Sequence, residues 1–231
     1  MRRFAVILSF IVVAGIAMSF LIQHARRAAC SDSCVNSLRL VGLNLQNYAS
    51  ANGRLPAAAT YDESGRPRYS WRFAVIEFAE SFYFDFGEHI DRSQPWNADC
   101  NTEFLQRYDD NLFRCASSTA AAGVTQYVAI VGPGTAWDSN ISIDNLRDET
   151  LLAIEWPQSD VYWAEPRDLS LADLQRSIDS MRLIPEHSSS LRYLDWSATV
   201  HEIPLDESTF ATVKRLASVS VPSKAARTPA K

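Results

Sequence analysis

The sequence predicts an α+β fold behind an apolar N-terminal anchor. Three observations carry this. An uncharged run opens the chain, helical spacing dominates its first half, and short β-rich runs crowd its second half. Helices first and strands later place a sheet against the helix that follows the anchor.

The uncharged run spans Phe4 to Ile22, 19 residues. At about 1.5 Å per residue it reaches roughly 28 Å, the thickness of a hydrocarbon core. Arg2 and Arg3 precede it, and Arg26 and Arg27 follow. Ala25–Ala29 is a poor cleavage zone because two arginines interrupt it. The expected partition is therefore an anchor over 1–27, one domain over 28–218, and a tail over 219–231. The tail is Ser, Ala, Pro, Lys and Arg, and is expected to be disordered.

The remaining elements follow in order. Leu38, Val41, Leu45 and Tyr48 form an apolar stripe on a helix continuing from the anchor, stopped at Asn52-Gly53. Ser70 is placed to cap a helix carrying Trp71, Val75, Phe78 and Phe82. Asn101 is expected to cap a short helix through Leu105 and Tyr108. Residues 126–131, 150–155 and 161–163 read as strands. Ser170 and Asp173 resemble a capping box for a helix burying Leu171, Leu174, Ile178 and Met181. Residues 191–194 and 199–203 read as a hairpin around Asp195-Trp196-Ser197, and Asp206 opens a last helix with Phe210, Val213 and Leu216 inward.

Composition excludes several function classes. The chain has 231 residues and a net charge of −5, with 47% hydrophobic and 21% charged residues. That excludes wholesale disorder. No basic face is visible, so nucleic acid is not an expected partner. The bilayer is, through residues 4–22. Four cysteines, Cys30, Cys34, Cys100 and Cys115, suit two disulfides in an oxidising compartment or four buried thiols. Without a C-x-x-C, zinc is a poor reading. Cys30 and Cys34 share one helix face, so each would reach a separate partner.

His187 and Asp195, with Ser188 to Ser190 and Ser197 nearby, offer the His–carboxylate half of a hydrolytic triad. A polar hairpin is the better reading, because no G-x-S-x-G elbow occurs. His187, Asp195, His201 and Glu202 lack the spacing of a zinc or calcium site, so no metal is expected. Gly132-Pro133-Gly134-Thr135 lacks the lysine of a phosphate loop and reads as a structural turn. Six tryptophans read mainly as core, with Trp137 and Trp163 expected to be exposed. No cofactor is implied.

One resemblance is specific. Residues 34–58, CVNSLRLVGLNLQNYASANGRLPAA, resemble the opening of the domain-of-unknown-function 1559 family, the H-x9-DG pseudopilin-like bacterial proteins. In order follow SWRFAVIEFAE (70–80), QPWN (94–97), NLFRCASS (111–118), QYVAIVGPGTAW (126–137) and DETLLAIEWPQSDVYWAEPRDLS (148–170). Each is similar to an element of that family, and together they cover about 34–218. The resemblance implies a pilin-like architecture: a long helix, membrane-embedded at its start, packed on an antiparallel sheet with additional short helices. It implies an extracytoplasmic location and no established enzymatic activity. Cys34 and Cys115 fall at the family's cysteine positions, which implies a Cys34–Cys115 disulfide and leaves Cys30–Cys100 as a second pair.

Two features depart from the family. His187 precedes Asp195-Trp196 by a shortened spacing, and Trp196 stands where the family has glycine. Arg3 replaces the glycine before Phe4, and Leu8 replaces the glutamate of prepilins. These point to a plain anchor instead of a processed filament subunit. The expectation is a non-enzymatic structural or interaction module of the envelope or secretion apparatus, with protein partners there. The alternative is a membrane-tethered hydrolase or carbohydrate-active enzyme using His187 and Asp195.

Overall fold

The computed structural model describes residues 2–80, 86–107, 111–116, 118–181 and 190–220, with first-helix side chains from Val13 onward. Phe82, Tyr108, His187 and residues 221–231 lie outside the described residues, as does the Met181 side chain.

Helix α1 (Arg2–Asn52) runs unbroken for 51 residues, a length of about 77 Å. It ends at Gly53, whose φ of 71° takes the left-handed position and whose N–H bonds the Ala49 carbonyl at 2.8 Å. Among the described residues no helix is long and apolar enough to cross a membrane. Residues 4–12 of the expected anchor have side chains outside that set. Further along, Cys34, Leu38, Val41, Leu45 and Ala49 are buried on one stripe. Gly42 lets this stripe approach the sheet. A Cβ there would stand 2.8 Å from Leu194 and 2.9 Å from the Ala198 methyl.

A small hairpin, β1 (Ala59–Tyr61) with β2 (Pro67–Ser70), leads into α2 (Trp71–Glu80). Ser70 caps α2, its Oγ accepting from the Phe73 N–H at 3.3 Å. Helix α3 (Asp99–Arg107) starts before Asn101, so Asn101 is not its cap. Its buried amide instead donates to Tyr69 Oη and the Asp91 and Pro95 carbonyls, and accepts from the Asp91 N–H. A tertiary role overrides the local capping preference.

The main sheet comprises β3 (Tyr127–Val131), β4 (Leu151–Glu155), β5 (Leu169–Ser170), β6 (Ser190–Asp195) and β7 (Val200–Pro204), in the order β5-β3-β4-β6-β7. All pairs are antiparallel except β3 with β5, which is parallel over Ile130↔Leu169 and Val131↔Ser170. The expected strand at 161–163 is only a bridge between Val124 and Tyr162. The chain turns at once, with the Glu165 N–H on the Tyr162 carbonyl.

Both faces of the sheet are covered, where the pilin-like expectation named one long helix against it. On one face Tyr127, Ala129, Leu152, Ala153 and Leu194 pack with α1 and α2. On the other, Val128, Ile130, Leu151, Ile154, Leu191 and Tyr193 pack under α4 (Leu171–Met181) and α5 (Thr209–Ala217). A bulge sets β4 between the layers. Leu151 pairs with Asp195 and Ala153 with Leu194, so the extra residue turns Leu152 and Ala153 both toward α1. The capping box of α4 is reciprocal: Asp173 N–H donates to Ser170 Oγ at 3.1 Å, and Ser170 N–H to the Asp173 carboxylate at 3.2 Å. Hydrogen bonds to its carboxylate from the Ser170 hydroxyl, at 2.6 Å, and then from the Ser170 N–H hold Asp173 below the ordinary carboxylate range.

Candidate functional site

Four polar constellations hold the chemistry-bearing residues. The first is the β6–β7 turn. Asp195 is nearly buried, with 4% of its side chain exposed, and its two oxygens have separate duties. Oδ1 accepts from Ser197 Oγ at 2.7 Å and the Thr199 N–H at 3.0 Å. Oδ2 lies 2.7 Å from His201 Nε2. The His201 ring stacks on Tyr193, centroids 5.0 Å apart. Trp196 and Ser197 donate their N–H groups to the Thr150 and Asp148 carbonyls, and Gln46 of α1 reaches the Trp196 carbonyl at 2.7 Å. The positive φ of the turn falls on Ala198, at 60°. Trp196 therefore needs no left-handed backbone, and the positive φ is taken two residues later, by Ala198.

A hydrolytic triad needs serine on histidine and histidine on aspartate. Here Ser197 and His201 both address Asp195, so the carboxylate is a hub that ties a turn. The sequence paired Asp195 with His187, which lies outside the described residues. His201 is the histidine in contact. The metal set is also divided. His201 and Glu202 are adjacent on β7 and point to opposite faces. Glu202 accepts from Arg192 Nε at 2.8 Å and Ser190 Oγ at 2.9 Å.

The second constellation lies beneath α1. Arg192 is buried between Glu155, at 3.4 Å, and Glu202, and donates to Ser31 of α1 at 2.6 Å. Beside it a disulfide joins Cys34 of α1 to Cys115 across 81 residues. Tyr127 donates to the Cys34 carbonyl at 3.0 Å, and burial raises its pKa strongly. Cys34, Cys115 and Glu155 gather within 4.8 Å of one another. The two sulfurs bind each other, so they offer no thiolates to a metal. Cys30 and Cys100 form no second bridge and are free thiols, a correction to the sequence expectation. Cys34 points into the core, whereas Cys30 sits a turn earlier where α1 leaves the domain, and Cys100 is exposed on α3.

The third constellation joins two of the sequence motifs. Arg72 is fully buried at the start of α2 and pairs with Asp168 at 2.7 Å. Its other N–H groups reach the carbonyls of Trp163, Tyr127, Glu165 and Arg167. Asp168 also accepts from Trp71 Nε1 and, at 2.7 Å, from the Ala129 N–H. Burial pushes the Asp168 carboxyl up, opposed by the Arg72 guanidinium and these donors. Sequence reasoning assigned Arg72 and Asp168 no role. The signal lay in their places in the S-W-R and P-x-D-L elements, and their separation of nearly one hundred residues hid the pairing.

The fourth is the Gly132–Thr135 loop. Gly134 N–H donates to the Asp138 carboxylate at 2.8 Å, and Asn140 N–H does so at 2.9 Å. These bonds hold Asp138 low. An internal carboxylate thus occupies donors that a phosphate would need. The Val219 N–H closes on the Gly134 carbonyl at 2.8 Å, fixing the end of the described chain. Trp137 and Trp163 are buried, against expectation. Trp137 donates its indole N–H to the Leu152 carbonyl at 2.7 Å, and Trp163 lies stacked near Phe73.

The chain belongs to a family of proteins of unknown function. The family described as SBP_bac_10, protein of unknown function (DUF1559), matches residues 23–164. The matched segment contains α1 beyond the apolar run, the disulfide and Arg72, and stops before Asp168 and the β6–β7 hairpin. No curated protein and no solved structure matches the chain.

Proposed function

We propose that this chain is a membrane-anchored, extracytoplasmic, non-enzymatic interaction module of the cell envelope. The apolar run of α1 holds it to the bilayer, and its domain is displayed to protein partners of the envelope or secretion apparatus. One observation carries the reading: a single unbroken helix links the apolar N-terminus to the centre of the domain core. The Cys34–Cys115 disulfide supports an oxidising compartment. The chemistry-bearing side chains favour a scaffold, since Asp195, Arg72, Asp168 and Arg192 are all engaged in tying elements together. Helices cover both sheet faces, so partners meet the outer face of α1 and the loops.

The exposed Cys100 thiol supplies the test. In intact cells of a host carrying the full chain, a membrane-impermeant maleimide labels Cys100, and the chain stays in the membrane pellet after carbonate extraction. Labelling only after lysis, or release into the carbonate supernatant, overturns the proposal.

A further inference from the structure

The small hairpin has one covered edge and one open edge. The outer edge of β2 is covered, because the Ser70 N–H donates to the Ala164 carbonyl at 3.2 Å. On β1 the register sets which groups face outward. Ala59 stands opposite Ser70, and Tyr61 opposite Pro67. These pairs are bonded through their neighbours: the Trp71 N–H reaches the Ala58 carbonyl at 3.0 Å, and the Asp62 N–H the Arg66 carbonyl at 2.9 Å. In an antiparallel ladder that turns the N–H and C=O of Ala59 and of Tyr61 away from β2. Among the described residues nothing bonds them. A donor and an acceptor recur every second residue, the pattern another extended strand completes.

This edge lines a cleft of about 680 Å³, whose lining includes Tyr48, Tyr61, Trp137 and Ile141. Of the charged residues that line it, three are engaged. Asp138 accepts from the Gly134 and Asn140 N–H groups, Asp168 pairs with Arg72, and Arg167 pairs with Asp160 and Glu165. The fourth, Arg54, is exposed just upstream of the open edge and has no hydrogen bond or ion pair among the described residues.

We infer that this cleft binds the C-terminal end of an extended peptide, which adds to β1 as an antiparallel strand. The peptide main chain pairs with Ala59 and Tyr61, and its apolar side chains rest on the aromatic lining. An antiparallel strand ends at the upstream side of β1, where Arg54 stands, so the carboxylate that Arg54 meets is the terminal one. The chain's own residues 221–231 carry Lys224, Arg227 and Lys231, the wrong charge for Arg54. The inference rests on the reading of this chain as an interaction module and names the partner class for it.

The test presents the full chain, in detergent micelles, with a library of N-acetylated hexapeptides carrying free C-terminal carboxylates. A second library is the same but amidated. The chain should retain the first about tenfold better than the second. Arg54→Gln should abolish that preference, and Arg54→Lys should keep most of it. Ala59→Pro removes an outward N–H and no β1–β2 hydrogen bond, so it should weaken retention about tenfold. If that variant fails to fold, the unaltered chain decides: a retained peptide should slow amide exchange at Ala59 and Tyr61 by about tenfold or more. No retention above empty micelles, equal retention of the amidated library, or protection at other amides overturns the proposal. Protection of both amides without peptide, rising with chain concentration, shows a second copy on the edge and also overturns it. Carbonate extraction reports the anchor separately, so loss of the cleft and loss of the anchored module are told apart.

Discussion

The two faces of the sheet are held by different means. Against α1 and α2 the layer is tied by directional bonds: the disulfide, the Arg72–Asp168 pair and the Arg192 cluster. Against α4 and α5 the layer is apolar, with Leu174, Ile178, Val213 and Leu216 pressed on Val128, Ile130 and Ile154. A directional bond needs particular side chains at particular places, so it leaves motifs. Apolar burial needs only volume and periodicity. The family match covers 23–164: it takes in the disulfide and Arg72, and it ends before Asp168, Arg192, α4 and α5.

The comparison breaks first at Arg72. Arg72→Leu leaves Asp168 and several carbonyls buried without their donor, and should cost about 3–5 kcal/mol. Arg72→Lys should fail nearly as badly, since one ammonium cannot serve five acceptors in a plane. Denaturant unfolding reads both. Next is Cys34→Ser with Cys115→Ser, which frees an 81-residue separation and should cost about 3–5 kcal/mol. In the other layer, Leu174→Ala should cost about 2–4 kcal/mol, yet Leu174→Met should cost under about 1.5 kcal/mol. A tolerant Arg72 or an intolerant Leu174→Met would erase the distinction between the layers.

Smaller effects sharpen it. Glu202 sits below its ordinary value of 4.5, held chiefly by its hydrogen bond from Arg192. Its folded pKa is depressed, so its contribution is present above pH 4.5 and is lost as pH falls through the folded value. Glu202→Gln should flatten the stability profile below pH 4.5. A profile unchanged by the substitution removes Glu202 from the acid response. Ala198→Gly relieves a positive φ but removes a methyl that packs where α1 passes at Gly42. The two effects oppose, and thermal unfolding should register a net change under about 1 kcal/mol.

Much of the fold was legible in the sequence because its cues are local. Ser170 with Asp173, Gly53, and the stripe Leu38–Val41–Leu45 act within a few residues, and each forms as the spacing predicts. The misreadings share one cause. Asn101 looked like a cap and Trp163 like a surface ring, but long-range partners claim both. The Arg72–Asp168 pair and the covered second sheet face depend on contacts between distant segments, which no window of sequence displays. The β6–β7 turn was half legible: Asp195 was singled out, but the histidine it meets is His201.

The central claim is that one helix is anchor at its start and core at its end. The most direct test is the intact mass of the chain from its native membrane fraction. The account predicts a start at Met1, or at Arg2 after methionine removal, with Phe4–Ile22 retained. A chain beginning at N-methylated Phe4 would contradict the plain anchor and make it a processed pilin-type subunit. A start near Cys30 would show the apolar run to be a removed leader and would contradict the anchor altogether.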